Sequence, residues 1–166
     1  PRLMFQYQTI AELAAVTEVT EIAAGREDAP LTGPVPLLPV QRWFFEQGFA
    51  EPHHWNQSIL LSVRERPRPE HLARAVAELF AYHDALRFRF VREDGDWRQL
   101  ATAPGSPAPF AWIDLSALPE AERSEAVSWA ADRLQESLDL AGPLARAAFF
   151  DFGSEAPGRL LWVIHH

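Results

Sequence analysis

The apolar positions of this chain recur at helical spacing in some segments and alternate, as in strands, in others. Helical spacing is clearest over residues 69–86 and 119–138. The apolar residues expected on the buried side are Leu72, Val76, Leu79 and Phe80 in the first segment, and Ala126, Trp129, Leu134 and Leu138 in the second. This pattern predicts two long amphipathic helices.

Two shorter segments also favour helices. Residues 37–47 predict a helix that begins around Pro39, a residue suited to the first helical turn. Residues 9–16 predict another, because Thr9 and Glu12 have the spacing of a capping box.

Strict alternation over residues 87–92 predicts a half-buried strand, with Phe88 and Phe90 inward and the arginines outward. Residues 93–96 are typical of a hairpin turn. Composition and neighbouring turn signals favour five more strands: 56–63, 97–100, 110–115, 144–152 and 160–164. The last is a continuous apolar run, so we expect it inside a sheet rather than at an edge.

The interleaving of hairpins and long helices predicts an α/β domain with a mixed sheet, and we expect both long helices on one side of that sheet. The sequence has no glycine-rich phosphate loop, so no nucleotide cofactor is expected. The histidines at 53 and 54 have no carboxylate or cysteine at ligand spacing, so no metal site is expected either.

Composition excludes several classes of protein. A chain of 166 residues with 48% apolar residues and six Trp can bury a sizeable core. A net charge of −8 without a basic run argues against nucleic acid or an anionic membrane as a partner. The chain has no cysteine, which is compatible with the reducing cytoplasm where we expect it to work. All fifteen basic residues are Arg, so a catalytic lysine is excluded.

Glycine and proline divide the chain. Residues 17–36 include GREDAP and GPVP, which break any periodic pattern and predict a linker. Residues 1–16 hold one helix too short to fold alone, and the dense signals begin at residue 37. Because the chain begins with Pro1 rather than Met, we expect it to be cut from a longer protein.

Two adjacent histidines, His165 and His166, follow the apolar run 160–164. Successive side chains of a strand point to opposite faces, so the two imidazoles are poorly placed to bind one metal or to do the same job. One interpretation makes one histidine structural and presents the other to a cavity. The alternative is that both are simply hydrogen-bonded residues at a strand end.

Three segments resemble core motifs of the condensation and epimerization domains of nonribosomal peptide synthetases. Residues 36–47 (PLLPVQRWFFEQ) resemble the first motif, in the form of that motif that is typical of epimerization domains. Residues 82–90 (YHDALRFRF) resemble the second, with Tyr82 where a histidine is usual. Residues 163–166 (VIHH) match the start of the third, HHxxxDG, and residues 5–14 (FQYQTIAELA) are similar to the last helix of a peptidyl carrier domain.

The resemblance implies a fold like chloramphenicol acetyltransferase, with two lobes and a site in the channel between them. It implies that residues 1–16 end a carrier domain and that residues 37–166 are the N-terminal part of an epimerization or condensation-type domain. Only the N-terminal lobe, itself incomplete, is then present. We therefore expect the fragment alone to be inactive.

The resemblance also implies roles for single residues. His166 corresponds to the catalytic histidine, whereas His165, Arg87, His83 and Asp84 support the site structurally. The chemistry suits this role, because a neutral imidazole can take or return the acidified Cα proton of a thioester near neutral pH.

The leading hypothesis for the intact parent is epimerization, L to D, of an aminoacyl or peptidyl thioester by acid/base catalysis. Condensation, in which peptide bonds form between carrier-bound thioesters, is the first alternative, and a carrier-docking module without activity is the second. The implied partners are a carrier domain, whose phosphopantetheine arm delivers the substrate, and neighbouring synthetase domains. No cofactor is expected on the fragment itself.

Overall fold

The structure is a computed structural model of the chain, and it describes residues 6–7, 9–16, 29–105, 108–154 and 156–166. The helices in these ranges are α1 (Ile10–Val16), α2 (Pro39–Glu46), α3 (Pro69–Tyr82) and α4 (Glu120–Glu136). The strands are β1 (Gly33–Val35), β2 (Asn56–Val63), β3 (Phe88–Glu93), β4 (Asp96–Ala101), β5 (Phe110–Asp114), β6 (Ala145–Asp151) and β7 (Gly158–His165). Two 3₁₀ turns lie at Pro52–His54 and Asp84–Arg87.

The strands form two sheets. One has the order β2-β7-β6-β5, in which β5 and β6 are parallel and the other neighbours are antiparallel. The other has the order β1-β4-β3 and is antiparallel throughout. The predicted mixed sheet is confirmed. The inner position of residues 160–164 is also confirmed, since β7 lies between β2 and β6.

β6 is buried on both of its faces, and a different helix covers each face. Alternation places Ala147 and Ala148 on opposite faces, and both are at most 1% exposed. Val76 and Phe80 of α3 share a core cluster with Ala147, whereas Val127 of α4 shares one with Ala148. The prediction that both long helices lie on one side is therefore wrong. A strand that is apolar on both faces needs a helix on each.

The buried stripe of α4 also differs from the predicted one. Val127 is 4% exposed, whereas Trp129, which was expected to be buried, is 66% exposed. Two residues along a helix rotate the side chain by about 200°. Trp129 therefore points away from the sheet, while Leu134 and Leu138 pack in the same cluster as Val127.

The three-stranded sheet begins inside the predicted linker. Gly33–Val35 forms β1 and pairs with residues 99–101 of β4, although its glycine and proline predicted a break. An edge strand tolerates proline, because no neighbour on its outer side needs the missing N–H. Gly33 has φ of 88°, which favours glycine. The folded region thus starts ahead of the predicted boundary at residue 37.

The N-terminal predictions are described only in part. Thr9 and Glu12 form the predicted capping box: the Glu12 N–H donates to Thr9 Oγ1 and the Thr9 N–H donates to Glu12 Oε2, both at 3.2 Å. Helix α1 follows at once. Residues 1–5 and 17–28, which belong to the predicted carrier segment and linker, lie outside the described residues.

α3 ends at Tyr82, short of the predicted residue 86, and the chain turns through Asp84–Arg87 before β3 begins at Phe88. Arg87 was expected in an exposed row of arginines, and this prediction is wrong because the residue is only 7% exposed. Strand alternation starts one residue later and buries Phe90 as expected. The end of α3 offers carbonyls that satisfy a buried guanidinium, so the site of Arg87 is set by tertiary contacts.

Candidate active site

The two histidines lie where the loop before β2 crosses the end of β7. His165 is the last residue of β7, and its N–H donates to the carbonyl of Leu144 at 2.8 Å. The N–H of His166 donates to the carbonyl of Trp55, also at 2.8 Å. Trp55 immediately follows the Pro52–His54 turn. The main chain therefore fixes both histidines against this loop.

The His165 ring is half-buried and fully engaged by protein groups. Its Nε2 lies 2.9 Å from the carbonyl oxygen of Pro52, and because a carbonyl only accepts, Nε2 carries the proton. Its ring meets Phe44 edge-on, with centroids 5.3 Å apart at 89°. Burial lowers the pKa of His165, against a smaller opposing effect of the bond to Pro52. His165 is therefore a neutral residue that holds the Pro52 loop in place.

His166 is the exposed member of the pair, and it lines a cavity of about 390 Å³. Its ring makes no hydrogen bond to another residue among those that the structure describes. An imidazole in this position is free to exchange a proton with a molecule in the cavity. The geometry thus separates a structural histidine from one that faces a cavity.

The cavity wall is mainly apolar and comes from six parts of the chain. α2 contributes Leu38 from its N-cap together with residues of its helical turns. The remaining wall comes from the loop before β2, the Asp84–Arg87 turn, β3, the segment before β6 and the end of β7. The lining residues are Leu38, Val40, Gln41, Trp43, Phe44, Phe45, Trp55, Ala85, Phe88, Phe90, Leu140, Leu144, His165 and His166. The wall therefore offers a molecule in the cavity mainly apolar contact.

An aromatic cluster fixes the wall beneath the histidines. Phe44 of α2 lies 5.5 Å from Phe49 and 6.2 Å from Trp55, measured between ring centroids. Phe49 and Trp55 stack on each other at 4.9 Å. Because Phe44 also contacts His165, this cluster joins α2 to the loop that anchors the histidines. Sequence analysis did not place Phe44 or Phe49 beside the histidines, although the local density of aromatic residues was a usable signal.

Among the described residues, the hydrogen bonds of Arg87 go to the end of α3 and to the residue after β4, and not to the histidines. Its guanidinium donates to the carbonyls of Phe80 at 2.9 Å, Ala81 at 2.7 Å and Thr102 at 3.0 Å. It also forms an ion pair with Asp84. None of its hydrogen bonds among the described residues reaches residues 165–166. Arg87 therefore ties the end of α3 to Thr102, the residue that follows β4.

Asp84 and His83 take different positions in the same turn. Asp84 accepts a hydrogen bond from the N–H of Leu31 at 3.1 Å, in addition to its ion pair with Arg87. His83 is the C-cap residue of α3, and its ring contacts only the adjacent Tyr82 ring among the described aromatic groups, at 5.0 Å. Ala85, between them and Arg87, is the residue of this turn that lines the cavity.

The histidines at 53 and 54 do not build a metal site in the described part of the chain. No group of three or more His, Cys, Asp or Glu side chains there is arranged to hold a metal ion. Their loop instead supplies main-chain acceptors, the Pro52 and Trp55 carbonyls. Main-chain groups leave no signature in a sequence, which is why these contacts were not foreseen.

Residues 32–166 match the family model of the condensation domain. The chain belongs to the condensation domain family. This condensation-family chain is 49% identical to a linear gramicidin synthase of Brevibacillus parabrevis, over 100% of the chain but 3% of that relative. It is 38% identical to a surfactin synthase of Bacillus subtilis, over 98% of the chain but 4% of that relative. It is thus a condensation-superfamily domain of the nonribosomal peptide synthetases, and it spans a small fraction of these relatives.

Solved structures of the same superfamily share its fold. The epimerization domain from the third module of a tyrocidine synthetase matches with a TM-score of 0.72 and 34% identity, over 82% of this chain and 31% of that one. The first condensation domain of the calcium-dependent antibiotic synthetase matches with a TM-score of 0.66 and 24% identity, over 80% and 33%. The predicted chloramphenicol acetyltransferase-like fold is confirmed, and the chain spans about a third of each structure. Among the described residues, no helix has the length and hydropathy to cross a bilayer.

Proposed function

We propose that this chain is part of an epimerization domain. In the parent synthetase the domain inverts the Cα of an aminoacyl or peptidyl thioester, which a carrier domain presents on its phosphopantetheine arm. His166 acts as the general acid/base on one face of that carbon. His165, Arg87, Asp84 and His83 hold the surrounding turns in place.

One observation carries the choice of epimerization. Identity to the solved epimerization domain is 34%, whereas identity to the solved condensation domains is 20% and 24% over nearly the same share of this chain. The first motif, residues 36–47, also supports epimerization because its sequence resembles the form of the motif found in epimerization domains.

The site's chemistry is consistent with Cα proton exchange. A thioester acidifies its Cα–H, and the imidazole of His166 can remove that proton to leave an enolate. Return of a proton to the opposite face inverts the centre without any redox change. A second acid/base group must serve that face, and no Asp or Glu lines the cavity among the described residues.

Condensation is the second candidate, because the family model that matches is that of the condensation domain. In that reaction the same imidazole would assist attack of an acceptor amine on a donor thioester. The structural likeness to condensation domains, with TM-scores of 0.66 and 0.67 for two of them, supports the shared fold without favouring this reaction.

His166→Ala in the parent synthetase module tests the proposal. We expect the rate of deuterium washout from Cα of the carrier-bound thioester to fall about 10²–10⁴-fold, which is typical for the loss of a general acid/base. Loading of the carrier, followed by mass spectrometry, should be unchanged because other domains load it. His71→Ala, which removes an exposed histidine of α3, is the matched control and should leave washout at the wild-type rate.

Two results would contradict this assignment. Wild-type washout and a normal D/L ratio in the His166→Ala module would remove His166 from the chemistry. Peptide-bond formation by the wild-type module without any Cα exchange would assign the domain to condensation.

A further inference from the structure

The cavity beside His166 has no charged side chain in the wall that the structure describes. Its lining residues are aliphatic or aromatic and belong to Leu, Val, Trp, Phe and Ala, except that Gln41 and the two histidines contribute polar groups. Four other grooves in the described part of the chain each have at least one arginine in their walls. The apolar wall is therefore a specific property of the candidate active site.

The carbonyl oxygen of the Gln41 side chain is already engaged, so this side chain offers a ligand mainly its amide N–H donors. Its Oε1 accepts a hydrogen bond from the N–H of Leu38 at 2.8 Å, which closes the first turn of α2. His165 is likewise engaged, through Nε2, with the carbonyl of Pro52. His166 is thus the ionisable side chain of the wall whose ring makes no such bond within the described residues.

Elimination identifies which substituent of the reacting carbon meets the apolar wall. This step rests on the proposed function, in which the Cα–H of a carrier-bound thioester faces His166. The thioester arm must lead out toward the carrier, and the amine or amide nitrogen is polar. The amino-acid side chain is the remaining substituent, so it is the group that meets the apolar wall.

We infer that this domain acts on thioesters whose reacting residue has an uncharged, apolar side chain, and that Val40 and Trp43 of α2 contribute to this selectivity. A cavity of about 390 Å³ is within the range of about 300–1,000 Å³ typical of small-molecule sites. An ionised side chain would lose hydration there without finding an Asp, Glu or Arg side chain to pair with among the described residues of the wall, which is unfavourable. Val40 and Trp43 are 65% and 49% exposed, so they border the open side of the cavity.

The test uses the intact parent domain with its carrier domain, loaded separately with leucyl, asparaginyl and aspartyl phosphopantetheine. These three side chains have similar size and differ in polarity and charge. We expect leucyl thioester to exchange its Cα proton for deuterium at least about 100-fold faster than aspartyl thioester, with the asparaginyl thioester between them. Equal rates for leucyl and aspartyl thioesters would overturn the inference while leaving epimerization intact.

A pair of variants tests the wall itself. Val40→Arg places a cation at the cavity, so the ratio of leucyl to aspartyl exchange should fall about 10-fold or more. Trp129→Arg, on the exposed side of α4, is the matched control and should keep the wild-type ratio. An unchanged ratio in a folded Val40→Arg domain would overturn the role of Val40. No exchange with any of the three substrates in the wild type would overturn the proposed function and, with it, this inference.

Discussion

His165 and His166 are neighbours in sequence whose surroundings differ completely. His165 packs against Phe44 and donates to Pro52, whereas His166 is exposed at the cavity. Alternation along a strand explains the separation, because consecutive side chains cannot share one environment. Strand alternation therefore predicts that the two residues have different surroundings, and the structure shows which residue is half-buried and which is exposed.

Stability should depend on the protonation of His165. Burial lowers its pKa in the folded state, so the unfolded chain, with a value of about 6.5, takes up the proton first as pH falls. The contribution of neutral His165 to the free energy of unfolding is therefore complete above about pH 6.5. It is lost as the pH falls through the lowered pKa of the folded state. We expect the free energy of unfolding to fall less in the intact His165→Gln domain than in the wild type between about pH 7.5 and about pH 5. Urea denaturation at each pH measures this difference.

The control for this measurement is His71→Gln, which changes an exposed histidine of α3. Its stability should fall with pH as steeply as that of the wild type. At about pH 7.5, His165→Gln should cost about 1 kcal/mol, the scale of one hydrogen bond. A His165→Gln profile parallel to the wild type would show that His165 does not carry this pH dependence.

At the scale of elements, the ring of Phe149 in β6 packs closely against the main chain of Gly158 in β7. Gly158, the first residue of β7, lies against the ring of Phe149, and a Cβ added there would stand 2.2 Å from Phe149 Cζ. Phe149 is fully buried and cannot swing away without moving the core. Glycine is thus required here by close approach rather than by backbone conformation.

Gly158→Ala should therefore destabilise the intact domain by about 1–3 kcal/mol through overpacking. Phe149→Leu removes the ring that the new methyl group meets, at a cost of its own. The double variant should lose less than the sum of the two single losses, because the clash is present only in the Gly158→Ala single variant. Additive losses in urea denaturation would show that the two residues do not interact in this way.

The two long helices illustrate where element-scale prediction failed. Their existence followed from the spacing of Val76 and Phe80 in α3 and of Leu134 and Leu138 in the α4 segment. Their placement did not, because periodicity identifies an apolar face without identifying the surface that it covers. The alternation of β6, apolar at both Ala147 and Ala148, contained the missing signal that each face needs a helix.

At the scale of the whole molecule, the described surface has the character of part of a larger fold. β2 lies at the edge of its sheet, and Ile59, Leu60 and Leu61 are 54%, 42% and 43% exposed. Val40 and Leu38, beside the cavity, are 65% and 59% exposed. Exposed apolar groups in such numbers are typical of surfaces that another part of a protein covers.

We predict that the isolated 166-residue chain does not invert a thioester. The described cavity offers His166 for one face of the substrate, but no carboxylate of the described residues lines it for the other. Chiral analysis of a leucyl pantetheine thioester after incubation should show no D product, with circular dichroism as the check on folding. Inversion by the isolated chain, at a rate comparable to that of the intact domain, would contradict this prediction.

The sequence by itself determined the α/β class, the order of the helices and strands, the inner position of residues 160–164 and the resemblance that pointed to His166. These features depend on the local spacing of apolar residues and on short motifs, both of which can be seen in the sequence. The tertiary structure alone decided the placement of the two helices on opposite faces, the burial of Arg87, the strand at Gly33–Val35 and the apolar wall around His166. Each of these depends on contacts between residues distant in sequence, and the partners are often main-chain carbonyls, such as that of Pro52, that every residue possesses and no sequence pattern marks.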